Sequence, residues 1–118
     1  DYARRAFLST KSSELPKVFV SADDVSKGKP DPQPYAKGAE LNHVNITNCF
    51  VVEDAPAGVL SGKRAGARVL AVKTTHDAER LWRQGADFVV DNLTKVKARW
   101  SGNKIVLTID SELRPSFE

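Results

Sequence analysis

The stretch Cys49-Phe50-Val51-Val52-Glu53-Asp54-Ala55-Pro56-Ala57-Gly58 decides how the rest of this chain is read. A continuous apolar run closed by charge predicts a strand buried on both faces, the pattern of a parallel sheet. Asp54 followed by Pro56 then marks a helix start, since proline is tolerated in a first turn whose N–H groups lack partners anyway. Cys49 is the only cysteine, so it has no intramolecular disulfide partner and is expected to pack as a small hydrophobe.

Working toward the carboxyl end, the helix begun at Pro56 is expected to stop near Gly66. Val69-Leu70-Ala71-Val72 predicts the next buried strand, 77–84 a short helix halted by Gly85, and Phe88-Val89-Val90 a further strand. Beyond these, 93–100 suggests a last helix, and 105–109 alternates weakly enough for an edge strand or a segment exchanged with a partner. Toward the amino end, 2–11 predicts an amphipathic helix, 17–22 a strand entered after Pro16, and 23–31 a loop. A helix starting at Pro32 or Pro34 should run to about Leu41. Strands alternating with helices through short loops mean βαβ units, hence an α/β fold with a parallel sheet.

In such sheets ligands bind beyond the carboxyl ends of the strands, where helix N-termini point their partial positive charge. Glu53 and Asp54 fall at such an end. An acid there can simply support the helix start. Two in succession after a buried run repel each other and lose hydration, which a hard cation would relieve; the residues alone leave both explanations open. The second cluster is Lys27-Gly28-Lys29-Pro30-Asp31-Pro32. Pro30 biases Lys29 toward an extended backbone and Gly28 allows close approach, so the ammonium can be aimed at an anion, although a solvated surface lysine is the plainer explanation. A lysine and a carboxylate-held cation on neighbouring loops would together stabilise charge on a transferring phosphoryl group.

Three segments, Gly28-Lys29-Pro30-Asp31-Pro32-Gln33-Pro34-Tyr35, Val51-Val52-Glu53-Asp54-Ala55-Pro56-Ala57-Gly58 and Gly62-Lys63-Arg64-Ala65-Gly66-Ala67, give the chain a specific likeness. It resembles the haloacid dehalogenase superfamily of phosphatases, particularly the fungal sugar-phosphate and glycerol-phosphate phosphatases, across roughly 21–91. The resemblance implies a Rossmann-like parallel core and a Mg²⁺ cofactor. It also implies a catalytic role for Lys29, whose ammonium would neutralise nucleophile and phosphate. Asp54 would be a direct metal ligand and Glu53 would act through a metal-bound water. Lys27 is the poorer match, because the family sets its lysine directly before the proline.

The departure from the family is equally informative. Its Asp-x-Asp-Gly-Thr nucleophile motif occurs nowhere in these 118 residues, and Asp23-Asp24 follows the wrong strand and lacks the glycine and threonine. The phosphate-binding serine or threonine and the substrate-selecting cap would precede Asp1. The chain begins at Asp1 and holds no methionine, as expected of a piece of something longer. The expectation is therefore one partial core domain over 1–118, the C-terminal portion of a phosphatase for small phosphorylated metabolites, inactive by itself. A non-catalytic interaction or regulatory module on the same scaffold is the alternative. Loss of a central first strand would split the sheet and leave edges prone to self-association.

Bulk composition agrees with a globular chain, at 41% hydrophobic residues. A formal charge of +3 with scattered basic residues argues against nucleic acid as partner. No apolar run reaches the roughly 18 residues of a membrane span, and a cytoplasmic location follows as the expectation. Gly58 to Lys63 is one residue short of a P-loop and lacks its Ser/Thr, which removes a nucleotide-binding reading. His43 is expected to be exposed in a polar loop; His76, at the carboxyl end of a strand, could touch a ligand, although a solvent-exposed loop position is the plainer expectation.

Overall fold

The computed structural model of the protein describes residues 28–74, 76–102 and 104–117. The helix expected over 2–11, the strand over 17–22, and the residues Asp23, Asp24 and Lys27 lie outside them.

Three parallel strands, β1 (Phe50–Glu53), β2 (Arg68–Val72) and β3 (Phe88–Val90), stand side by side in sequence order. Val51 pairs with Val69, Val52 with Leu70 and Ala71 with Val89. Side chains alternate across a strand, and the alternation divides the core in two. Val51, Val69, Ala71 and Val89 point to one face, which is covered by α1 (Gln33–Leu41), α2 (Pro56–Ala65) and α3 (Ala78–Arg83) through Tyr35, Val59, Leu81 and Trp82. Val52, Leu70, Val72 and Val90 point to the other, joined by Phe50, Phe88, Val96 and Ile109. Burial on both faces is why these strands are unbroken apolar runs instead of alternating ones. Cys49 is buried, as a small hydrophobe should be.

Each helix begins and ends where local chemistry dictates. The Asp31 carboxylate accepts from the Gln33 N–H at 2.9 Å to open α1, whose buried face is Pro34, Tyr35, Gly38 and Ala39. Proline at the start of α2 needs no N–H partner, and Gly66, at φ 99°, ends that helix in the left-handed conformation glycine adopts without strain. The Asp77 side chain caps α3 by accepting from the Arg80 N–H at 3.0 Å.

The segment after β3 departs from expectation. Where a helix was predicted over 93–100, a single turn at Leu93–Lys95 leads into β4 (Val96–Ser101), which pairs antiparallel with β5 (Lys104–Ile109). Val96, Ala98 and Trp100 alternate with Lys97 and Arg99, so the segment satisfies a strand period as well as a helical one. Ser101 and Lys104 form the last pair of the ladder, Gly102 has φ 63°, and Gly102-Asn103 is a sequence that suits a tight hairpin. Tertiary burial decides between the periods, because Val96 and Ile109, at the root of the hairpin, cover the second face of the sheet. Neither strand is an isolated edge of the parallel sheet.

The chain then runs back along β3. Ser111 Oγ accepts from the Val89 N–H at 3.0 Å and donates to the Val89 carbonyl at 3.1 Å, and the Glu112 N–H donates to the same carbonyl at 2.8 Å. These bonds satisfy the outer edge of β3, which would otherwise be open to pairing with another chain. Ser111→Ala is expected to cost about 1–2 kcal/mol by stranding the Val89 N–H, readable as a lower urea midpoint. No helix among the described residues is long and apolar enough to cross a membrane.

Candidate functional site at the carboxyl edge of the sheet

Because the strands are parallel, their carboxyl ends share one rim. Glu53 and Asp54 leave β1 there, Lys73 leaves β2, and Asp91 leaves β3. The N-termini of α2 and α3 start from the same side. Lys73 is paired with Glu112 at 2.9 Å and Asp91 at 3.2 Å, which hold its ammonium pKa above the ordinary value, the hydrogen bond to Glu112 first.

Lys29 reaches this rim on a turn closed by the Asp31 N–H donating to the Gly28 carbonyl at 3.0 Å. Ser61, fully buried on α2, donates its hydroxyl to the Asp31 carbonyl at 2.6 Å and so fastens the turn to the helix that starts after Asp54. The Lys29 ammonium donates to Glu53 Oε2, and the Tyr35 hydroxyl donates to the same oxygen. Tyr35 also places its ring 5.5 Å from the Lys29 nitrogen. Glu53 is only 1% exposed, whereas Lys29 keeps 22% of its side chain in solvent. One partner thus belongs to the core and the other reaches the surface.

Gly58 makes room for this arrangement. A Cβ at that position would overlap the Glu53 carboxylate, coming within 2.6 Å of Oε2 and closer still to Cδ and Oε1. The other Glu53 oxygen, Oε1, accepts from the Asp54 N–H at 3.3 Å. Asp54 itself is half-buried and does not cap α2: the cap residue is Ala55, which makes no side-chain cap bond. His76, expected to be exposed, is half-buried, and its Nδ1 lies 3.2 Å from the Asp54 carbonyl oxygen.

Structure therefore brings together Lys29, Glu53 and the Asp54 backbone, and adds Tyr35, Ser61 and Gly58, to which the sequence reading gave no part in the site, and His76, which it gave only as the less expected ligand contact. Tyr35 carried a signal of its own, since a tyrosine on a buried helix face needs a partner for its hydroxyl. Among the described residues no group of three or more His, Cys, Asp and Glu side chains is placed to hold a metal. Magnesium demands less than that: one or two carboxylates suffice when phosphate oxygens and waters complete its shell. The Asp54 carboxylate fits this requirement. Glu53, engaged through both oxygens, serves here as the anchor of Lys29 and of the Asp54 N–H.

Fold and site together define an open parallel α/β domain with a lysine and an acid pair gathered at the carboxyl rim. Residues 3–72 match the haloacid dehalogenase-like hydrolase family. The chain is 44% identical over 100 residues to validoxylamine A 7'-phosphate phosphatase of Streptomyces hygroscopicus subsp. limoneus, covering 85% of this chain and 45% of that protein. It is 39% identical over 89 residues to glycerol-1-phosphate phosphohydrolase 2 of Saccharomyces cerevisiae, covering 70% and 36%. Among solved structures, a putative beta-phosphoglucomutase from Bacteroides vulgatus superposes with a TM-score of 0.61 at 32% identity, over 63% of this chain and 31% of that one. The chain belongs to the haloacid dehalogenase-like hydrolases, and its relatives include phosphatases of sugar and glycerol phosphates. It spans less than half the length of these curated relatives.

Proposed function

We propose that these 118 residues form a single partial core domain, the C-terminal portion of a magnesium-dependent phosphatase that hydrolyses small phosphate esters of the sugar-phosphate and glycerol-phosphate class. The observation that carries the reading is the Lys29 ammonium held on the buried Glu53 carboxylate directly beside Asp54, at the rim where α/β sheets bind ligand.

In this reading Asp54 would hold Mg²⁺. The bound ion would polarise a phosphoryl oxygen and offset the charge that develops on it. Lys29 supplies a second positive charge toward the phosphate, and a positioned charge acts best where water is partly excluded. Glu53 keeps that ammonium aimed, aided by Tyr35. The turn fastened by Ser61 limits how far the lysine can swing, which favours one bound geometry for the phosphate. Hydrolysis also requires a nucleophile, and no Asp-x-Asp-Gly-Thr segment occurs in these residues. The 118-residue chain alone is therefore proposed to be inactive, with activity belonging to a protein that supplies the nucleophile.

Two measurements test the reading. With p-nitrophenyl phosphate and Mg²⁺ the 118-residue chain is expected to show no turnover above the blank; turnover abolished by Asp54→Asn would refute its inactivity. In amide NMR, Mg²⁺ with inorganic phosphate is expected to shift signals around Asp54 and Lys29. Asp54→Asn and Lys29→Met should each remove that response. A response identical in both variants and the wild type would refute the site.

A further inference from the structure

The loop after β2 reaches across to the loop after β1, and the contact falls on the residue to which the proposed function gives the metal. Lys73, at one end of that loop, is held by its N–H on the Val90 carbonyl at 2.8 Å and by its side chain on Glu112 and Asp91. Asp77, at the other end, caps α3. Between these two anchors His76 presents Nδ1 to the Asp54 carbonyl at 3.2 Å.

A carbonyl oxygen can only accept, so this contact is a hydrogen bond when Nδ1 carries the proton. The Asp54 carbonyl lies one residue outside the helical ladder, whose first bond runs from the Val59 N–H to the Ala55 carbonyl. Pro56, two residues on, contributes no N–H of its own. The Asp54 N–H, on the other side of the same Cα, is held by Glu53 Oε1. Both peptide planes that flank the Asp54 Cα are therefore tied to side chains, Glu53 on one side and His76 on the other. Together they set the direction in which the Asp54 side chain leaves the backbone.

We infer that His76 is a positioning residue for Asp54: by donating Nδ1–H to the Asp54 carbonyl it fixes the peptide that aims the carboxylate at the cation. The inference rests on the proposed function for the identity of the cation, whereas the hydrogen bond itself does not. Outer partners of a metal ligand typically matter by about 10–100-fold in metal affinity. His76 acts on the main chain of the ligand instead of on its carboxylate, which places the expected effect at the low end.

The test is a Mg²⁺ titration of the 118-residue chain in the presence of inorganic phosphate, followed by amide NMR, for the wild type, Asp54→Asn, His76→Ala and His76→Asn. His76→Ala is expected to weaken Mg²⁺ about tenfold while leaving the urea midpoint nearly unchanged, since the side chain is only half-buried. His76→Asn, whose amide can donate from nearly the position of Nδ1, should recover binding to within about threefold of the wild type. Independently of any variant, imidazole ¹⁵N shifts should show His76 protonated on Nδ1. A His76 protonated on Nε2 alone would overturn the inference, as would a His76→Ala titration matching the wild type while Asp54→Asn loses its response. If Asp54→Asn also titrates like the wild type, the metal assignment of the proposed function fails and carries the inference with it.

Discussion

Gly58→Ala is expected to destabilise the protein by about 2 kcal/mol or more, although alanine is the better helix former by roughly 1 kcal/mol. The added methyl would occupy the space of the Glu53 carboxylate. An exposed glutamate would swing aside at little cost. This one is buried, and Lys29 and Tyr35 hold its Oε2 from two directions, so displacement breaks both bonds and leaves charge in the core without partners. Gly62→Ala offers an internal comparison: its Cβ would meet Val69 Cγ2 at 2.8 Å and Val51 Cγ1 at 3.2 Å, a steric conflict with no electrostatic component. Urea unfolding of both variants, each also carrying Glu53→Ala, separates the two causes. Truncating Glu53 should relieve Gly58→Ala and leave Gly62→Ala unaffected; a Gly58→Ala protein as stable as the wild type would show that the carboxylate has room to move.

Lys29→Met should lower stability by about 2 kcal/mol, less than the roughly 3–5 kcal/mol typical when one member of an enclosed ion pair is removed. The reduction reflects the exposure of Lys29, because water entering from the rim can partly hydrate Glu53 once the ammonium is gone. Methionine keeps most of the aliphatic stem, so the loss reports the charge more than the packing. Replacing both partners, Lys29→Met with Glu53→Gln, should cost less than the sum of the two single changes, since no buried charge is then left without its partner and the glutamine carbonyl can still accept from Tyr35. A double-mutant cycle in urea measures that coupling directly. Additive single effects would mean that the contact contributes nothing beyond its parts.

The parallel sheet was legible in the sequence because Phe50-Val51-Val52, Val69 to Val72 and Phe88 to Val90 are short unbroken apolar runs set between helix signals, and burial on both faces leaves no other use for them. The hairpin was not, because Leu93, Val96 and Trp100 fall on one helical face as readily as Val96, Ala98 and Trp100 fall on one strand face. The Gly102-Asn103 pair was the signal that discriminates. At the site, Lys29, Glu53 and Asp54 could be singled out by the ends of elements and by the family likeness. That Glu53 is the seat of Lys29, and not only a neighbour of Asp54, depends on a contact between residues 24 apart in sequence that no local pattern encodes. The bond from His76 to a main-chain oxygen is still less visible, since a backbone acceptor leaves no residue type to read.

Glu53 closes the interior of the domain and seats Lys29, the group to which the proposed function gives the phosphate. Function and architecture therefore have a common point of failure in this chain. A substitution there cannot alter ligand binding while sparing the scaffold, and loss of the Mg²⁺ and phosphate response after changing it says nothing about binding until folding has been checked. In the proposed function, adjustments of ligand affinity fall to neighbours such as His76, whose contact with the Asp54 main chain does not also seal the core.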